Sequence, residues 1–330
     1  MAAVKLALPP RLAAWLGRAE EPAAGAVRLT QGRVYILPSQ SGLLFGLTLL
    51  LMLLGCINYN LGLGYVLTFL LAGVALVSML HTFRNLAQLE LLPGRTEPVF
   101  AGDTAGFPVL LHNSTRLARF SVGVAVADPT GLGAAAQAQT DWRDLPPGET
   151  VAAEVRLEAA RRGRLRLPRL RVFTTFPLGL FYTWSNVYLD MSCLVYPRAE
   201  TGDVPLPPAE PGDAQGGDQT RGQDDFAGLR RYQPGDSPRH VAWKALARGQ
   251  DMVTKQFTGT GAGDLWLSWS QLPSEMRLEP RLSRLTRWVL DAGQAGLPFG
   301  LEIPGTRFAV GAGQAHEETC LGALALFKER

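Results

Sequence analysis

Histidine and cysteine are scarce in this chain, and neither is arranged for chemistry. The 330 residues hold four histidines (His81, His112, His240, His316) and three cysteines (Cys56, Cys193, Cys320). No C-x-x-C pair occurs and the three cysteines are widely separated, so no structural zinc is expected and the isolated thiols suit a reducing compartment. The chain has no G-x-x-x-x-G-K-[ST] phosphate loop, no G-x-S-x-G and no H-E-x-x-H, which removes the P-loop nucleotidase, the α/β-hydrolase and the zinc protease from consideration. The glycine-rich Gly259–Gly263 precedes an expected strand, where a phosphate loop would precede a helix, and reads as a turn. Charge is thin as well: 18% of residues are charged against 47% hydrophobic, and the net charge is only +3. So small a positive excess gives no basis for nucleic-acid binding, and so apolar a composition places part of the chain in lipid.

That apolar content is concentrated. Gly42–Ile57 and Leu61–Leu80 contain no charged residue, and a bilayer core of about 30 Å takes about 20 helical residues. The first run must therefore borrow from the residues just before it. A transmembrane hairpin is expected over 39–81, with helices over about 39–57 and 61–80 joined by Asn58-Tyr59-Asn60. Nothing ionisable lies within either run, so an ion or proton path is unsupported. Arg28 and Arg33 precede the hairpin, Arg84 and Arg95 follow it, and the loop has no cation. By the positive-inside rule both termini are cytoplasmic. Residues 1–38 form a basic cytoplasmic leader, either a short interfacial helix around Trp15 or an unstructured segment. A cleavable signal is excluded, because the apolar core comes too late.

From 88 to 198 the period changes to that of strands. Phe107, Val109 and Leu111, then Phe120, Val122, Val124 and Val126, then Val151, Ala153, Val155 and Leu157 alternate with polar or small residues, punctuated by Pro93-Gly94 and Pro147-Gly148. That spacing predicts an immunoglobulin-like β-sandwich. The aromatic segment Phe173–Trp184 is expected to be a corner that docks this domain on the next. Residues 199–225, rich in Pro, Gly and Asp, read as a flexible linker. In 226–330, strands at Val253–Phe257, Asp264–Ser270, Phe299–Ile303 and Arg307–Val310, with helices at Leu282–Gln294 and His316–Glu329, predict a small α/β lobe with a mostly parallel sheet.

The densest chemical signal opens that lobe. Arg230, Arg231, Tyr232, Pro234, Gly235, Asp236, Arg239, Trp243 and Arg248 fall within one short stretch. Pro-Gly-Asp signals a turn, Asp236 stands where a helix-capping carboxylate belongs, and Arg239 and Trp243, four apart, share a helix face. Two roles stay open: a buried node that fixes the fold, or an exposed patch of Arg and Trp that docks a partner. An anion or lipid headgroup held by the Arg-rich turn is an alternative, opposed by Asp236 at the place an anion would take. A hydrolase using Asp236 and His240 is disfavoured, since Arg239 between them would hold the carboxylate in a salt bridge.

The pattern R-x-Y-x-P-G-D-x-x-R-x-V-x-W-x-x-x-A-R resembles the signature of DUF58, a family of bacterial membrane proteins of unknown function. The resemblance implies two membrane helices, a β-rich middle, a von Willebrand A-like C-terminal region and a MoxR-type AAA ATPase as protein partner. The resemblance supplies no activity; with no catalytic motif in the chain and a charge-free apolar hairpin, the expectation is a two-pass protein of the bacterial inner membrane that serves as a non-enzymatic scaffold or adaptor, working with that ATPase in the assembly or maturation of other complexes. Von Willebrand A domains hold a divalent metal through Asp-x-Ser-x-Ser. Here Ser268 takes the place of the Asp, Ser270 keeps a hydroxyl, and Leu272 takes the place of the last Ser. No metal and no cofactor is expected, and the lobe is too short for a complete domain of that kind. A reporter active only in the cytoplasm, fused after Arg330, is expected to give full signal; the same reporter placed in the Asn58–Asn60 loop is expected to be silent.

Overall fold

The computed structural model describes residues 25–127, 140–202, 204–208, 226–231, 253–257 and 264–328. The chain divides into two compact units, one of residues up to Arg198 and the other from Ala199 to Leu324.

The first unit begins with two short strands, β1 (Val27–Arg28) and β2 (Tyr35–Pro38), followed by helices α1 (Gln40–Tyr59) and α2 (Gly62–Leu86). Both helices are long and apolar enough to cross a membrane, and only 6% and 11% of their most apolar windows are buried. A soluble core helix of that composition would be covered by protein; here Leu44, Leu51, Leu63, Phe69 and Leu70 all lie open. Ser39 caps α1 by accepting a hydrogen bond from the Gly42 amide at 3.1 Å. Asn60 ends it in the left-handed region, at φ 50°, a conformation asparagine tolerates better than most residues. The helix thus runs through the expected loop residues Asn58 and Tyr59, and the turn is tighter than expected. α2 extends six residues past Leu80 to Leu86, and those residues enter the β region.

Ten further strands complete the unit: β3 (Glu90–Pro93), β4 (Val99–Phe100), β5 (Thr104–His112), β6 (Arg119–Val126), β7 (Asp141–Leu145), β8 (Thr150–Glu158), β9 (Gly163–Arg166), β10 (Leu170–Thr174), β11 (Phe181–Val187) and β12 (Ser192–Tyr196). They form sheets in the orders β1-β3-β5-β8, β2-β11-β10-β6-β7 and β4-β12-β9. Side chains from all three sheets meet in one core, with Leu91, Phe107, Leu111, Val122, Leu170 and Val195 among its members. The expected alternation holds on β5 and β8, where Phe107, Val109, Leu111, Ala153 and Val155 are buried between exposed or half-exposed neighbours.

Three features differ from expectation. Residues 27–38, assigned to a separate leader, supply β1 and β2, which pair with β3 and β11; two-residue and four-residue pairings are too short to leave a periodic signal. Phe173–Trp184 docks the β region on the helical hairpin: the Ser39 hydroxyl donates to the Gly179 carbonyl, and the Ser39 amide donates to Leu180 O at 2.9 Å. Third, Phe120 faces outward and Arg119 inward. The register of β6 against β7 shifts between Arg119 and Val122, and Ser121 has φ 48°. An extra residue in a strand reverses which face its earlier residues occupy.

The reversal places Arg119, 2% exposed, where it can serve the end of α2. Its Nε donates to Asn113 Oδ1 at 2.9 Å and its Nη1 to the Asn85 and Arg84 carbonyls at 2.9 and 3.4 Å. These are carbonyls in the last turn of α2, which a helix leaves without internal donors. Asn85 in turn donates from Nδ2 to Phe120 O at 2.7 Å and to Thr174 Oγ1 at 3.0 Å, and its Oδ1 accepts from the Phe120 amide at 3.0 Å. Asn113 Nδ2 reaches the Leu117, Leu145 and Pro146 carbonyls. Helix end and sheets are thus joined through one buried polar network.

In the second unit, β13 (Phe226–Arg231) pairs antiparallel with β14 (Val253–Phe257). A separate sheet, β15 (Leu265–Ser268), β16 (Phe299–Ile303) and β17 (Thr306–Gly311), runs parallel between the first two and antiparallel between the last two. The expected mostly parallel sheet is therefore mixed, because Pro304-Gly305 closes a tight hairpin, with Gly305 at φ 82°. Helices α3 (Leu278–Gln294) and α4 (Gln314–Leu326) complete the unit. α3 buries Leu282, Leu285, Trp288 and Val289, the stripe its spacing predicts, and starts a turn earlier than expected.

Removing the buried guanidinium should uncouple helix from sheet. Arg119→Met is expected to cost about 3 kcal/mol, the scale of stranding several buried acceptors, whereas Arg95→Met at an exposed site should change stability by less than about 0.5 kcal/mol. Denaturant unfolding of the detergent-solubilised chain measures both.

Candidate functional site

The sequence-predicted node lies between β13 and β14. Arg230 and Arg231 close β13, opposite Thr254 and Val253 of β14, so the chain leaves and re-enters this hairpin at adjacent register positions. Tyr232, Pro234, Gly235, Asp236, Arg239, Trp243 and Arg248, with the turn and short helix expected there, lie outside the described residues. So does the Gly259–Gly263 turn.

The other sequence-predicted position, Ser268, Ser270 and Leu272, lies at the end of β15. Ser268 ends β15, and Trp269–Gln271 make a single 3-10 turn capped by a reciprocal box: the Ser268 hydroxyl accepts from the Ser270 amide at 3.3 Å, and Gln271 Oε1 accepts from the Ser268 amide at 3.0 Å. Ser268 and Ser270 hydroxyls are 2.8 Å apart, and Ser268 Oγ donates to Glu302 Oε2 at 3.1 Å. Leu272 is buried and contributes packing. Glu302 is the register partner of Ser268 on the parallel strand β16. The carboxylate missing from the sequence motif is thus supplied from the neighbouring strand, at the carboxyl end of a parallel pair, the edge where α/β sheets place their ligands. Local sequence gave no sign of it, because the pairing of Ser268 with Glu302 is a register fact. The three side chains satisfy one another, and among the described residues no group of three or more His, Cys, Asp or Glu is placed to hold a metal. As it stands the cluster fastens β15 to β16.

Beside it, Trp266 lies over Gly300, where a Cβ would meet the indole ring, and the Arg307 guanidinium stands 4.0 Å from the ring centroid. Arg281 lies 5.1 Å from the Trp269 centroid and donates from Nη2 to Pro273 O at 2.9 Å and Ser274 O at 2.6 Å. The end of β15 is thus rimmed by two arginine–tryptophan stacks. His316 is held by Nε2 at 2.8 Å from Phe299 O, and burial pushes the Cys320 thiol up to about 11. A thiol so disfavoured as thiolate is a core residue and no nucleophile.

The expected linker 199–225 is anchored at its start. Glu200 accepts two hydrogen bonds from Arg284, at 2.8 and 2.9 Å; its amide donates to Ser283 O at 3.1 Å; and Trp288 Nε1 donates to Pro205 O at 2.9 Å. A forked guanidinium–carboxylate pair and an indole donor fix a segment whose composition alone reads as mobile.

No protein-family model matches the chain, and no curated protein matches it.

Hydrogen bonds from Arg284 hold the Glu200 carboxyl below its ordinary range, against a smaller upward push from burial. A depressed carboxyl stabilises fully above the unfolded value of about 4.3 and ceases to do so as pH falls through its lower folded value. Acidification through that lower folded value is therefore expected to release the Glu200–Arg284 contact and the segment it anchors. Hydrogen exchange at the Glu200 amide should accelerate with it. Glu200→Gln should show faster exchange already above that pH, with no further conformational change on acidification.

Proposed function

We propose that this chain is a non-enzymatic scaffold or adaptor anchored in the bacterial inner membrane. In this reading α1 and α2 cross the bilayer, both termini are cytoplasmic, the β region is an immunoglobulin-like sandwich, and the second unit is a shortened von Willebrand A-like lobe. The observation that carries the reading is the Asn85–Arg119–Asn113 network. Two apolar helices and a β domain fastened through buried, mutually satisfied polar groups make a mount of fixed orientation. A scaffold needs that property, and a simple lipid tether does not. The Arg and Trp residues of the 230–248 stretch are the partner-facing candidates, since such side chains dominate interface energetics.

The DUF58-like motif makes a MoxR-type AAA ATPase the first partner to test. Full-length chain extracted from membranes in mild detergent is expected to retain such an ATPase, and Arg239→Ala to retain at least about tenfold less. Equal retention by both would move the contact away from the motif. Substrate turnover by the purified chain, lost on Asp236→Asn, would replace the scaffold with an enzyme.

A further inference from the structure

A cavity of about 930 Å³ opens where the end of α2 meets the β region. His81, Arg84, Arg116 and Arg119 line it, together with Phe120 and Phe176, and no Asp or Glu does. Arg84 and Arg116 are exposed, and no carboxylate among the described residues pairs with either. Arg119 is committed to carbonyl and amide oxygens, which accept its hydrogen bonds and leave its charge without a counter-ion among the described residues; burial pushes it down to about 10. Three cations and a histidine around one concave space, with no anion, make a site that is electrostatically incomplete.

A second, apolar groove of about 560 Å³ adjoins it, with His81 and Pro177 common to both linings. It follows one face of α2 through Phe69, Leu70, Gly73, Val74 and Val77, with Leu178 beside it. Gly73 opens the floor, since a Cβ there would meet nothing within 4 Å. Ser78 also lines the groove, 2% exposed, and its hydroxyl has no partner. At 1.5 Å per residue, Phe69 to His81 spans about 18 Å, close to the depth of one leaflet of a 30 Å hydrocarbon core. Leu117 and Phe120 of the cavity lining and Leu178 of the groove lining are exposed apolar side chains, and the Phe120 and Phe176 rings lie 5.0 Å apart. Such residues suit the boundary between headgroups and acyl chains.

From the unneutralised arginine cavity and the apolar groove continuous with it along α2, we infer that this junction binds one anionic glycerophospholipid, its phosphate among Arg84, Arg116 and Arg119 and an acyl chain along the groove. The order of the two spaces decides for a lipid over a free anion: the polar space lies at the end of the apolar helix and the apolar space along its side. The lipid would neutralise the cations gathered around the helix end, Arg119 among them, so occupancy should stabilise the joint between hairpin and sheets. The site rests on α2 lying in a bilayer and is independent of whether the chain is a scaffold. It is also distinct from the arginines of the 230–248 stretch.

The test uses full-length chain in detergent, with phosphatidylglycerol, phosphatidylcholine and inorganic phosphate as separate probes, read by native mass spectrometry and by thermal shift. Phosphatidylglycerol is expected to bind and raise the melting temperature, and phosphatidylcholine to do neither. The double variant Arg84→Gln/Arg116→Gln should bind phosphatidylglycerol about 30-fold more weakly, the effect of two arginines at a membrane surface. Gly73→Leu, which fills the groove from an open position, should also lose the lipid while keeping the lipid-free melting temperature. Equal binding of both lipids, or of phosphatidylglycerol by wild type and the double variant, would overturn the proposal. So would displacement by inorganic phosphate with Gly73→Leu binding as wild type, the behaviour of a free-anion site.

Discussion

A buried guanidinium with no carboxylate partner among the described residues is the constraint around which the first unit is organised. Burial disfavours the charged form of Arg119, and the cost is bearable only where strong acceptors surround the group. Those acceptors are the carbonyls that α2 leaves unsatisfied at its C-terminal end and the side chain of Asn113. Each side thus meets a need of the other: the helix end gains donors, and the arginine gains oxygens. The Ser121 bulge brings them together, since without the reversal of face an aromatic ring would point at the helix end.

The same junction explains why hairpin and β region form one unit. α1 begins against the Thr175–Leu180 turn, where a Cβ on Gly42 would overlap the Leu180 carbonyl, and α2 ends against β6 and β10 through Asn85. Both helices therefore meet the sheets at the same end of the hairpin. Their opposite ends, near Asn60, make no such contacts among the described residues, and their flanks expose leucines along most of their length. Apolar area of that extent costs about 25 cal/mol per Å² in water, and both helices are long and apolar enough to cross a membrane.

In the second unit polar contacts also do the positioning. Glu200 and Trp288 anchor a proline-rich strap on α3, and Ser268, Ser270 and Glu302 tie adjacent strand ends. Arg307 and Arg281 stack on Trp266 and Trp269, extending the pairing of arginine with tryptophan that the 230–248 stretch displays in sequence.

The two long apolar helices, the strand period of β5 and β8, the buried stripe of α3 and most strands of the second unit are legible in the order of residues alone. Each is written in a repeat of two or 3.6 residues, or in an unbroken apolar run, and a local pattern suffices where one face is buried. The remaining features arise when distant segments pack together. β1 and β2 are too short to carry a period, the Ser121 bulge breaks the one on β6, and Glu200 and Glu302 gain their roles from residues far along the chain. Arg119 shows the difference most clearly: in sequence it is one arginine of many near a strand start. Its importance comes from a reversal of strand face and from a helix ending beside it, and neither is encoded within reach of its neighbours.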